Sequence, residues 1–331
     1  MGTGKDMDAG KMKKSGGYSL IEVMVAMVIS LIVLSGVYRV ITDETVRTAR
    51  EEAVLDMQNN ARAAITRISL DLRRTGFFGC GGKLGYPASY TFAPPIVFTN
   101  DAAATSTTSD EGTDAITLEF LGGDVPLISV DASSTSSSDF KLGRAAFVNG
   151  DELLVTDCDE YAVFTKTNGS TTTPSATVAH ADLNRIYGAM QPARVYDFQS
   201  SAYRVKDGAL ILGVDDEVAD NIEDLQFEFI EDTDNDGDLS DQDWQQTFAD
   251  PAEVRAVRVW VLAMSDTAYS YTDNNTYDYP NSPYHSGEIP AFSTNGAGGS
   301  PASRAPLAND GEHRFRYLAS ATIYLRNAGI L

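Results

Sequence analysis

Lys13-Lys14-Ser15-Gly16-Gly17-Tyr18-Ser19-Leu20-Ile21-Glu22-Val23 opens an apolar run whose only charge before Arg39 is Glu22. As a helix, Leu20 to Tyr38 would rise about 28 Å at about 1.5 Å per residue. That nearly matches the hydrocarbon core of a bilayer, about 30 Å. The lysines ahead of the run favour a leader left on the cytoplasmic side and a chain exported beyond it. An ordinary secretory signal ends in a small-residue cleavage site after its apolar region. Here the Gly16–Gly17 pair precedes it, so cleavage after Gly17 keeps the helix and frees an amine at Tyr18. A carboxylate just inside an apolar span is expensive enough to suggest a role. Paired with the Tyr18 amine of another subunit or of its own, Glu22 becomes tolerable away from water. The alternative is a plain single-pass anchor whose Glu22 reaches the interface.

Beyond the anchor charges return, but apolar spacing continues. Val46, Ala49, Ala53, Met57, Ala61, Ala64, Ile65, Ile68 and Leu72 recur mostly at intervals of three and four, an amphipathic helix. No proline interrupts Tyr18 to Arg74, and Gly76 is a natural stop. One helix over 18–75 is expected, with 18–40 in membrane or filament core, after a leader of 1–17; Met1 or Met12 could start it. Gly36 is a weak point where the helix could bend.

Residues 76–331 hold strand candidates at Ala115–Leu121, Glu152–Thr156, Tyr161–Lys166, Ala202–Val205, Ala209–Leu212, Leu225–Ile230, Val254–Met264 and Arg316–Arg326. Leu225, Phe227 and Phe229 alternate with Gln226 and Glu228, the pattern of an antiparallel sheet covered on one face. Lys206-Asp207-Gly208 reads as a tight hairpin turn. The fold class is therefore α+β, a long transmembrane and amphipathic helix packed on a large antiparallel sheet domain. Polar loops separate the strands. The longest, 266–313, carries Tyr269, Tyr271, Tyr277, Tyr279 and Tyr284 and reads as a solvated insertion or a contact lobe.

The formal charge of −22 argues against a nucleic-acid partner and fits an exported acidic surface that attracts divalent cations. The two cysteines, Cys80 and Cys158, would close a loop of 78 residues as a disulfide outside the cytoplasm, the alternative being two buried thiols. Asp232-Thr233-Asp234-Asn235-Asp236-Gly237-Asp238-Leu239-Ser240-Asp241-Gln242-Asp243 places carboxylates at loop positions 1, 3, 5 and 12 and glycine at 6. Calcium takes six to eight hard oxygens, and this spacing wraps one ion. The expected ligands are Asp232, Asp234, Asp236, the carbonyl of Asp238, a water on Ser240, and Asp243, in a structural site. An acidic solvated turn is the alternative. No nucleophile elbow, phosphate loop or zincin motif occurs, and His180, His285 and His313 are scattered, so no catalytic site is expected.

The N-terminal stretch resembles the type IV prepilin signal, and the chain is identified as most similar to the PilW-like minor pilins. Leu72-Arg73-Arg74-Thr75-Gly76-Phe77-Phe78-Gly79-Cys80, Ala202-Tyr203-Arg204-Val205, Arg255-Ala256-Val257-Arg258-Val259 and Ile323-Tyr324-Leu325-Arg326-Asn327 carry the later resemblance. It implies prepilin peptidase cleavage after Gly17, methylation of Tyr18, and an assembly role for Glu22. It also implies a non-enzymatic subunit of a pilus or of its tip and priming complex, with a role in adhesion. Such a subunit sits in the inner membrane before assembly and at the cell surface after it. Other major and minor pilins, met through the helix, and a tip adhesin are the implied partners. A J-type pseudopilin of type II secretion and a membrane-tethered binding module outside any filament are the alternatives.

Overall fold

The computed structural model describes residues 19–77, 79, 94–100, 110, 112–130, 137–143, 147–167, 175–179, 187, 192–234, 236–239, 242–266 and 314–325. The expected helix is present as α1, Leu20–Leu72, 53 residues long and unbroken at Gly36. The chain divides into two compact units, Met1–Glu52 and Ala53–Leu331.

In the first unit the helix exposes its apolar side chains, Leu20 at 79 % and Ile21 at 70 %. Its hydroxyls are satisfied along their own helix: Ser30 Oγ donates to the Ala26 carbonyl at 2.8 Å and Thr42 Oγ1 to the Tyr38 carbonyl at 3.0 Å. A polar group paired in this way enters an apolar medium without the cost of an orphaned hydrogen bond. Among the described residues this is the one helix long and apolar enough to cross a membrane.

The second unit begins where the helix acquires a single apolar stripe. Met57, Ala61, Ala64, Ile68 and Leu72 are buried and pack with residues of two antiparallel sheets. The first sheet runs β5–β4–β7–β2–β3–β6. Its members are β2 (Ala115–Val130), β3 (Ser137–Leu142), β4 (Glu152–Thr156), β5 (Tyr161–Thr165), β6 (Ser175–Ala179) and β7 (Ala193–Lys206). At its side β1 (Ile96–Thr99) pairs with β2, and β8 (Ala209–Leu212) pairs with β7 and β9 (Asp216–Ala219). The second sheet is β10 (Ile222–Glu231), β11 (Val254–Met264) and β12 (Arg316–Tyr324), in that order.

Leu225, Phe227 and Phe229 of β10 face the helix with Val257, Val259 and Val261 of β11, as their alternation requires. Phe98 and Phe248 meet Phe229 edge to face, each at 4.8 Å between ring centroids. Several strands extend beyond the sequence expectation, β2 and β7 by the most. β2 continues past Leu121 and β7 begins nine residues before Ala202. The cause is a register shift between Gly122 and Val125 that breaks the alternation without ending the strand. Gly123 sits there at φ 63°, and a Cβ on it would fall 2.3 Å from Asp197 Oδ1. Past this bulge the same strands serve a second core of Val125, Leu153, Val155, Phe164 and Val195. β1, β3, β6 and β9 were not among the expected strands. The tight turn is as expected: Asp207 and Gly208 take φ of 54° and 76° between the paired Lys206 and Ala209. Asp110 accepts both of their amides at 3.0 Å.

One polar contact ties the end of α1 to β7. Asp71 is fully buried; its Oδ2 accepts the Tyr203 hydroxyl at 2.6 Å and lies 3.4 Å from Arg67. Burial, then the bond to Asp71, pushes the Tyr203 phenol well above its ordinary range. A raised folded-state value means this stability is present in full below the unfolded tyrosine value, about 10, and is lost as pH rises above it. Tyr203→Phe should therefore cost about 1–3 kcal/mol at neutral pH. It should also flatten the alkaline loss of stability. Urea melts of both proteins in detergent, at neutral pH and above the tyrosine value, check both effects.

Candidate functional site

Two regions carry the residues singled out in the sequence. At the start of α1, Glu22 lies in the first turn, and its amide bonds the Ser19 carbonyl at 3.0 Å. A carboxylate is favoured there by the partial positive charge of the helix N-terminus. Glu22, Ala26 and Ser30, with Val23, Met27, Leu31 and Leu34, form a shallow groove along the helix. Small side chains at four-residue spacing permit close approach of another helix. Gly17 and Tyr18 lie outside the described residues.

The second region follows β10, an edge strand of its sheet. Asp232, Asp234 and Asp236 each bring one carboxylate oxygen to within 4.8 Å of the others. Asp236 Oδ1 accepts the Asp238 amide at 2.7 Å, and Gly237 takes φ 79°, the left-handed turn that glycine permits. Asp243 is exposed and does not stand in the three-carboxylate group; Ser240 lies outside the described residues.

Both ends of the loop are pinned. At the entry the Asp232 amide donates to the Glu253 carbonyl at 2.9 Å, and Glu231 accepts the amides of Ala249 and Asp250. At the exit Gln245 exchanges two backbone bonds with Phe229, at 2.7 and 2.9 Å. Trp244 lies under the Arg258 guanidinium at 3.9 Å. Asp232 is 2 % exposed, with Oδ2 held by Arg255 Nε at 3.2 Å. Sequence reading missed Arg255. Nothing local marks it, because β10 and β11 must pair before it meets the loop.

Of the two cysteines, Cys158 is among the described residues. Cys158, at φ 72°, occupies the turn joining β4 and β5, and its amide donates to Thr156 Oγ1 at 3.1 Å. Among the described residues no cysteine is a free thiol. Cys80 lies outside them, but its neighbour Gly79 does not. A Cβ on Gly79 would sit 3.1 Å from Thr156 Cγ2, at the base of the turn that holds Cys158. Upstream, the Gly76 amide bonds the Glu119 carbonyl and the Leu121 amide bonds the Phe77 carbonyl, fixing the path after the helix. His180, His285, His313 and the tyrosines of 266–313 also lie outside the described residues.

Residues 12–38 match the family described as the Prokaryotic N-terminal methylation motif. Residues 203–327, from the end of β7 through β12, match the family described as Type IV Pilus-assembly protein W. Among solved structures the chain is similar to the Type IV-like pilin TTHA1219 from Thermus thermophilus. That similarity is at 12 % identity and a TM-score of 0.35, over 83 % of this chain and 96 % of that one. No curated protein matches the sequence.

Proposed function

We propose that this chain, which belongs to the type IV pilin superfamily and is a minor pilin of the PilW type, acts in the complex that primes pilus assembly, at or near the tip. The match to the pilus-assembly family favours the pilus over a secretion pseudopilin or a free-standing tethered module. A structural rather than enzymatic role follows from the same membership.

The observation that carries the reading is the first unit's helix. From Leu20 to Tyr38 it is apolar on every face and exposed, and its one charged group there is the carboxylate of Glu22 in its first turn. Such a surface is stable in two settings, lipid before assembly and a bundle of like helices after it. Prepilin peptidase cleavage after Gly17 supplies the amine that neutralises Glu22 in the bundle. The acidic β domain is exported and faces outward, where it can meet a tip adhesin or a surface. In an oxidising space Cys80 and Cys158 pair, closing a loop of 78 residues.

Mass spectrometry of the protein from membranes or sheared filaments should give a mature chain beginning at Tyr18. A chain beginning after residue 40 would overturn the reading.

Glu22→Ala should export and fold normally yet incorporate poorly against wild type in a competition assay. For a scarce priming subunit the defect is fewer pili, with fibres of normal form. Equal incorporation would remove the role given to Glu22.

Non-reducing peptide mapping should recover Cys80 linked to Cys158. Cys158→Ser should lower stability by roughly 4 kcal/mol on the chain-entropy argument. Two alkylatable thiols in native protein would refute the bridge.

A further inference from the structure

We infer that the Asp232–Asp236 turn is a calcium site, a feature independent of the filament role. The acidic spacing alone is insufficient, since Asp, Asn and Gly are ordinary turn residues. A second observation concerns Asp232. Its carboxylate is buried at 2 % exposure, and Arg255 satisfies only Oδ2. Oδ1 is buried with no hydrogen-bond partner. The same carboxylate stands with those of Asp234 and Asp236 within 4.8 Å.

A buried anionic oxygen without a donor is costly to keep, and two further carboxylates beside it raise that cost by repulsion. A hydroxyl or amide donor would relieve the oxygen but leave the repulsion. A divalent cation relieves both. Arg255 acts as a positioning residue: by holding Oδ2 it leaves Oδ1 for the ion.

The ion class follows from the oxygens. All the donors are hard, which disfavours soft and borderline metals. Asp234 and Asp236 are exposed on a turn whose ends are pinned to β10 and β11, so waters can complete a large, irregular shell. Calcium accepts such a shell, whereas magnesium demands a tight octahedron and sheds water reluctantly. The setting predicts the weak affinity of extracellular modules, about 0.1–1 mM.

The test uses the full chain in detergent, stripped with chelator and titrated calorimetrically with calcium chloride alone. Luminescence of terbium bound in place of calcium gives a second readout. Saturable binding that stoichiometric magnesium fails to displace is expected, with a melting temperature that rises with calcium by mass action. Asp234→Asn, at an exposed position, should weaken binding at least tenfold, with a chelated melting temperature no lower than that of wild type because one repelling charge is gone. Asp232→Asn should abolish binding; should that variant fail to fold, Asp234→Asn and Asp236→Asn decide. Wild type that binds no calcium at millimolar concentration overturns the site, as does Asp234→Asn or Asp236→Asn binding within threefold of wild type.

Discussion

One element with two incompatible solvents organises this chain. From Val23 to Tyr38 helix α1 carries no charge, and its serine hydroxyls are turned back onto their own helix carbonyls. From Ala53 the same helix has a narrow stripe suited to a sheet. Ala61 and Ala64 at its centre are fully buried and too small to hold the sheet off. Met57, Ile68 and Leu72 supply the apolar area, each worth roughly 1.5–3 kcal/mol when buried. Strands of both sheets contribute to the core beneath that stripe, from Ile96 to Ile323. A polar residue at Ala61 or Ala64 would leave the first unit intact and undo the second.

The extended strands β2 and β7 let one sheet serve two cores. Their first portions lie under the helix through Ile116, Leu118, Tyr203 and Val205. Their other ends reach the second cluster through Val125, Leu127 and Val195. One residue added on β2 at the Gly122–Val125 shift switches the alternation from even to odd positions and so keeps apolar side chains on the required face after the bend. Gly123 meets this need because Asp197 and Phe147 occupy the place of a side chain.

What could be read from the sequence follows from how local each signal is. The 3.6-residue period located α1 to within three residues at either end, and the two-residue period located the cores of β10 and β11. The turn at Asp207–Gly208 was legible because two left-handed residues in succession are a property of the dipeptide. The continuation of β2 was not, since Gly122–Gly123 reads as a stop when no partner strand is in view. The short strands β1 and β9 lack the length for a period to show. In the acidic loop, spacing named Asp232, Asp234 and Asp236, which the fold brings together. It also named Asp243, which the fold leaves outside that group. Asp71 and Tyr203, separated by 132 residues, had no sequence signal for their contact.

A buried ion pair explains how pairing of the second sheet stays unique. β12 returns to β11 after a long connection, and closure entropy grows so slowly with length that it hardly favours one register. A one-residue slip would turn Ile323 out of the core, so the apolar pattern forbids it. A slip of two residues preserves the alternation and escapes that penalty. It would, however, carry Arg316 about 7 Å along the strand. Arg316 reaches across β11 to Glu223 on β10, with Nε donating to Oε2 at 2.6 Å and Nη2 to Oε1 at 3.3 Å. Both side chains are 3 % exposed, so a slip strands two buried charges. Such a pair adds little net stability over an apolar one, but losing one partner is severe. Its effect here is discrimination: it penalises the even-numbered slips that hydrophobic alternation cannot detect.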